Sequence, residues 1–246
     1  MKWNWPLKNR LFATNFSPPE MESQIHTPSD HSGVRRWPVT NALLFVNVCA
    51  FIAQGLAQRV FPRFPLQHYF GLSLDGLDEG FLWQLLTFQF LHGGILHLLL
   101  NCWGIYVFGH AVEETLGRKQ MLKLYLLSGA AGGGLHVLGS LLFPSHFGAF
   151  TVYGVTHYDS VVGASAGLFG LMAAFATLYP EQDLKVLLFF VYPVTVSARV
   201  LVGVCAGVSV VGILMTRSSV AHGAHLGGML AGFAYVRLIL PAERKS

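Results

Sequence analysis

Six apolar stretches without a single Asp, Glu, Lys or Arg divide the chain, at approximately residues 40–58, 95–112, 124–143, 161–180, 200–216 and 219–236. A helix crosses a bilayer with ~20 mostly apolar residues, the usual range being ~17–25. The pattern therefore predicts an all-α fold, a polytopic membrane bundle of six transmembrane helices. A seventh apolar run, 186–196, is too short to cross, contains Pro193, and reads as interfacial. Between the first two spans, residues 81–91 (FLWQLLTFQFL) are apolar yet also too short, which predicts a partly submerged hairpin or interfacial helix. Residues 1–38 are polar, with Pro18, Pro19 and Pro28, and lack both the apolar core of a signal peptide and that of a folded domain. The expected organisation is a flexible tail over 1–38, a membrane domain over 39–240 and a short tail over 241–246.

Composition agrees. Of 246 residues 53% are hydrophobic and only 11% charged, and the mean hydropathy is +0.51. A soluble domain carries roughly 25% charged residues. Disordered, collagen-like, coiled-coil and nucleic-acid-binding classes are excluded. The formal charge of +4 is topological. With both termini in the cytoplasm, the lysines and arginines fall inside except Arg59, Arg63 and Arg217, which satisfies the positive-inside rule. Cys49, Cys102 and Cys205 each lie in a separate apolar run, so they form no disulfide framework and read as small buried hydrophobes.

Inside a bilayer the informative residues are polar, because each must find an internal partner or face water. Three clusters stand out. His92, His97 and Asn101 open the second span, with His97 and Asn101 one helical turn apart on one face. Gly163-Ala164-Ser165-Ala166-Gly167 opens the apolar part of the fourth. His222-Gly223-Ala224-His225 opens the sixth, followed by the pair Gly228 and Gly232 in GxxxG spacing. Alone, each has a plain explanation: a serine bonding its own i−4 carbonyl, an interfacial histidine, a packing motif. Together they lie at the outward ends of even-numbered spans, at matching depths, where they can converge on one pocket. The sequence around Ser165 also matches the G-x-S-x-G nucleophile elbow of soluble hydrolases. That motif needs a preceding strand in a soluble sheet, whereas a Gly- and Ala-rich span follows here.

On these motifs, HxxxxHxxxN (His92, His97, Asn101), GxSxG (Ser165) and AHxxGxxxG (Ala224, His225, Gly228, Gly232), the chain resembles the rhomboid family of intramembrane serine proteases from about residue 41 to 240. Glu113 and Gly117 match a further family pattern. Trp83 stands where the family's first loop carries a Trp-Arg pair, but Gln84 follows it, so that loop's arginine tether is missing.

The resemblance implies a serine endopeptidase that hydrolyses bonds in or near the transmembrane helix of single-span membrane proteins. Ser165 would be the nucleophile and His225 the general base, without a carboxylate. The residues support this reading: a serine hydroxyl needs a base to take its proton, and small residues at Gly163, Gly167, Gly170, Gly228 and Gly232 let spans four and six touch. The resemblance assigns the oxyanion to His97, Asn101 and the Ser165 backbone. It makes Phe169, where relatives commonly have Tyr, a stacking floor for His225. His222 would contact substrate or water, and His92 would stand at the pocket mouth. No cofactor, metal or nucleic acid is implied. The sequence does not indicate an oligomeric state. The lack of a targeting presequence points to a bacterial plasma membrane, with the site opening to the non-cytoplasmic side. Two other readings remain: a metal-binding membrane protein using His92, His97, His222 and His225, and a catalytically silent relative that binds membrane helices.

Overall fold

A computed structural model describes residues 37–147, 149–152, 155–188, 192–215 and 220–240. The expected tails at 1–38 and 241–246 lie outside these, apart from Trp37 and Pro38. Pro38 ends the extended approach to α1 (Val39–Val60), and a distant side chain completes the first turn of this helix. The Glu113 carboxylate accepts from the Val39 N–H at 2.7 Å, the Thr40 N–H at 2.8 Å and the Thr40 hydroxyl at 2.7 Å. Initial helix N–H groups have no intrahelical partner, and an anion there also complements the helix dipole. Glu113, singled out only as part of a motif, thus anchors α1 to α5 (defined below).

After α1 the chain makes three short helices, α2 (Leu66–Phe70), α3 (Leu74–Asp78) and α4 (Gln84–Thr87), then a 3₁₀ turn at Phe88–Phe90. Within the apolar 81–91 segment, residues 84–90 are therefore helical, in turns too short to cross a bilayer. Gln84 ties this loop together. Its fully buried carboxamide accepts from the Ser73 N–H at 3.2 Å and donates to the His68 carbonyl at 2.6 Å. Trp83 adds an indole N–H bond to the Tyr69 carbonyl at 2.8 Å. The loop is tethered through glutamine where the family pattern has arginine.

Long helices α5 (Ile95–Leu116) and α6 (Arg118–Leu142) follow, then a two-stranded antiparallel ribbon of β1 (Ala149–Val152) and β2 (Val155–Tyr158). Next come α7 (Ser165–Leu178), a second ribbon of β3 (Asp183–Leu188) and β4 (Tyr192–Ser197), α8 (Ala198–Leu214) and α9 (His222–Ala234), which runs into a π turn at Tyr235–Ile239. The molecule is mostly helical rather than all-α. Of the 186–196 run, expected to be interfacial, residues 186–188 and 192–196 belong to the two strands of the second ribbon. Pro193 sits opposite Leu187 in this ribbon, where both strands are edges and a missing N–H is tolerated.

By length and composition α1, α5 and α6 are each long and apolar enough to cross a membrane; α7 and α8 are shorter apolar helices. The fourth apolar stretch begins later as helix than expected because residues 161–163 are held by hydrogen bonds to the first loop. Leu72 and Val161 exchange two of these, at 3.0 and 2.8 Å, and the Gly163 N–H donates to the Phe88 carbonyl at 2.9 Å.

Ten of the fourteen residues of α7 are buried, and α6 and α9 pack directly on it. Glycine makes that approach possible. A Cβ on Gly228 would run into the Ala166 carbonyl, and one on Gly232 into that of Gly170. Around this core the outer helices present large apolar side chains outward, such as Val200, Val204, Val208 and Val211 along α8. The same outward face accounts for Cys49, which is exposed on α1 rather than buried.

Candidate active site

Ser165 is the first residue of α7, and Ala164 before it provides no side-chain cap. The Ser165 backbone N–H is therefore one of the helix's unpaired initial donors, at the positive end of its dipole. His225 sits one turn into α9, where the Gly228 and Gly232 contacts bring the two helices together. The result is a hydrogen bond of 2.8 Å between His225 Nε2 and Ser165 Oγ. Phe169 lies one turn along α7 from Ser165 and stacks on the imidazole, with centroids 4.3 Å apart and planes inclined by 28°. Among the described residues no ion pair links His225 to a carboxylate.

The second-span pair arrives from α5. Asn101 is buried, and its Nδ2 donates to the His97 carbonyl one turn back at 2.9 Å. The His97 ring lies over Gly163, whose φ of +132° favours glycine. A Cβ there would stand 2.7 Å from both Cε1 and Nε2 of that ring and 3.7 Å from Ser165 Oγ. Gly163 therefore serves the backbone turn and also clears space for His97.

His92 is located differently from expectation. It is fully buried behind His97, edge-on with centroids 5.2 Å apart, rather than at the pocket mouth. Burial first, then the neighbouring His97, pushes its imidazole down to about 4, so the ring is neutral at physiological pH. The His222 ring lodges against Gly212 of α8, 6.2 Å from the His225 ring. Gly228 and Gly232 act at the α7–α9 contact as their spacing implied.

A cavity of about 600 Å³ opens over this constellation, lined by His97, Asn101, Ser165, Phe169, His222 and His225. Lining groups outside the three sequence clusters include His136 on α6, the Phe147 ring packed edge-on to it at 5.3 Å, and Asp159 before α7. His136 carried a signal, a histidine inside an apolar span; Asp159 lies between spans and carried none. Among the described residues no three His, Cys, Asp or Glu side chains are placed to share a metal ion.

Comparison with known proteins adds the lineage. The Rhomboid domain model matches residues 79–242. RHOMBOID-like protein 12, mitochondrial, of Arabidopsis thaliana is 31% identical over 186 residues, covering 73% of this chain and 53% of its own length. Rhomboid protein 1, mitochondrial, of Saccharomyces cerevisiae is 31% identical over 204 residues, 83% of this chain and 54% of its own. Presenilin-associated rhomboid-like protein A, mitochondrial, of Danio rerio is 28% identical over 60% of this chain and 35% of its own length. The chain thus spans about half or less of these relatives. Their names give no support to the expected bacterial plasma membrane. The matched domain and the apolar helices do make this an integral membrane protein.

Proposed function

This chain belongs to the rhomboid family, and from that premise we propose that it is an intramembrane serine endopeptidase working through a Ser165–His225 dyad on single-span membrane proteins. The observation that carries the reading is the 2.8 Å contact between His225 Nε2 and Ser165 Oγ at the floor of a cavity. His225 takes the Ser165 proton as Oγ attacks the scissile carbonyl, then returns it to the leaving amine. The tetrahedral oxyanion forms beside the Ser165 N–H, His97 and Asn101, donors fixed before the charge develops. Phe169 keeps the imidazole aligned where no carboxylate does.

We extend the proposal to topology: six spans with both termini cytoplasmic, the cavity facing the opposite side. The length of α7 bears on the depth of the site within that topology. Its 14 residues rise roughly 21 Å, short of a hydrocarbon core of roughly 30 Å, so Ser165 lies below one surface when the far end reaches the other. Water reaches the serine through the cavity, and a substrate helix must unwind locally to present its backbone.

The test is reconstitution into liposomes with a generic single-span substrate beside a Ser165→Ala variant. Cleavage by the wild type alone supports the proposal; cleavage by both, or by neither, contradicts it.

Two graded outcomes follow from the geometry. Asn101→Ala is expected to lower kcat roughly 10²-fold with KM little changed, because an oxyanion donor acts where charge develops. A change confined to KM would move Asn101 to substrate binding. For the ring under His225, Phe169→Tyr is expected to be near neutral. Phe169→Ala should lose about two- to tenfold in kcat, the equivalent of one ring-stacking contact. Full activity in Phe169→Ala would mean another group holds the imidazole.

A further inference from the structure

No residue of α1 lines the cavity, yet one side chain of α1 reaches its machinery. Gln54, buried on that helix, pairs with the peptide of His92. Its Nε2 donates to the His92 carbonyl at 2.9 Å, and its Oε1 accepts from the His92 N–H at 3.1 Å. A single carboxamide thereby satisfies both backbone groups of a residue that belongs to neither a helix nor a strand. The next N–H in the chain, that of Gly93, donates to His97 Nδ1 at 3.4 Å. With Nδ1 accepting, a neutral imidazole carries its proton on Nε2. That nitrogen is the one facing Gly163, alongside Ser165. The buried His92 ring, edge-on to His97, supports the same ring from a second side.

We propose that Gln54 is a positioning residue for the oxyanion donor His97, acting through the His92–Gly93 backbone. This rests on the roles proposed above for Ser165 and His97. A polar amide within an apolar span must have its donor and acceptor matched. Here both are committed to the backbone of one residue beside the site, not to a neighbouring helix. The bonding sequence is continuous: carboxamide to His92 peptide, Gly93 N–H to His97 Nδ1, and Nε2–H toward the position of the oxyanion. Releasing the first link frees the segment that selects the tautomer and angle of the donor, while the Ser165–His225 contact stays intact.

Steady-state kinetics on the reconstituted full chain test this, at a temperature well below every variant's melting point. Gln54→Met keeps length and loses both hydrogen bonds. It is expected to lower kcat roughly ten- to hundredfold with KM within about threefold, the pattern of a misplaced donor. Gln54→Asn retains the amide but is one methylene short, and should show the same split while remaining folded. Gln54→Glu restores the pairing, because burial favours the protonated carboxyl, which offers one donor and one acceptor. Its kcat should stay within about threefold of wild type. In a His97→Ala background, Gln54→Met should cost less than about threefold further, since the group it positions is gone.

Unchanged kcat in both Gln54→Met and Gln54→Asn overturns the proposal. So does an equal loss with and without the His97 imidazole, which would make Gln54 a general tether. A wild-type protein that cleaves nothing removes the protease reading and this proposal together. A cleaving wild type with indifferent Gln54 variants removes this proposal alone.

Discussion

Ser165→Ala and His225→Ala are each expected to reduce substrate cleavage by about 10⁴-fold or more, and the double variant to be no worse than either single one. The reason is the shared proton. The 2.8 Å bond between Nε2 and Oγ makes nucleophile and base one unit, so removing either half removes the step. The measurement is single-turnover cleavage by the two single variants and the double variant in liposomes. A double variant distinctly slower than both singles would mean the two residues act independently. Thermal melting should be little affected, because neither helix depends on that bond for its packing: α7 and α9 are held by the Gly228 and Gly232 contacts. EDTA is expected to leave the rate unchanged. Inhibition reversed specifically by zinc would favour a metal-dependent reaction.

The second large effect is expected at Gly163. A non-glycine residue at a φ of +132° is strained by about 1–3 kcal/mol. The strain is the smaller part. The new Cβ would sit 2.7 Å from the His97 ring, well inside van der Waals contact, so either the ring or the segment leading into α7 must move. Both carry groups placed around the oxyanion. Gly163→Ala is therefore expected to lose roughly 10²–10³-fold in kcat, the size seen when one oxyanion donor is removed, with only a modest fall in melting temperature. Activity within about threefold of wild type would show that His97 has room to retreat and that its position is not critical.

What the sequence disclosed and what it withheld follows a physical division. Helices α1, α5 and α6 were legible because lipid allows no charge across a span, and their stretches agree with the observed helices to within about six residues at either end. Ser165 and His225 were legible as polar residues at compatible depths, flanked by the small residues that their approach requires. The late start of α7 was not. It depends on bonds from residues 161 and 163 to Leu72 and Phe88, more than seventy positions away, which leave no trace in a local hydrophobic pattern. The second ribbon was not legible either, because a short apolar stretch such as 186–196 has no periodicity that separates strand from buried helix. His92 stands behind His97 rather than at the mouth, its backbone held by Gln54 of α1, and nothing in the segment around His92 reveals that distant partner. Asp159 carries no sequence signal for a similar reason: it lies in a connection between spans, and its proximity to the cavity is a product of tertiary structure alone.

The most direct measurement of the central claim is the site of covalent reaction with a serine-directed fluorophosphonate, read by mass spectrometry of the protein in detergent. One adduct on Ser165, lost in His225→Ala although that variant keeps its serine, is the predicted result. An adduct on another residue, or equal labelling of Ser165 without His225, would contradict the claim that this pair forms the catalytic unit.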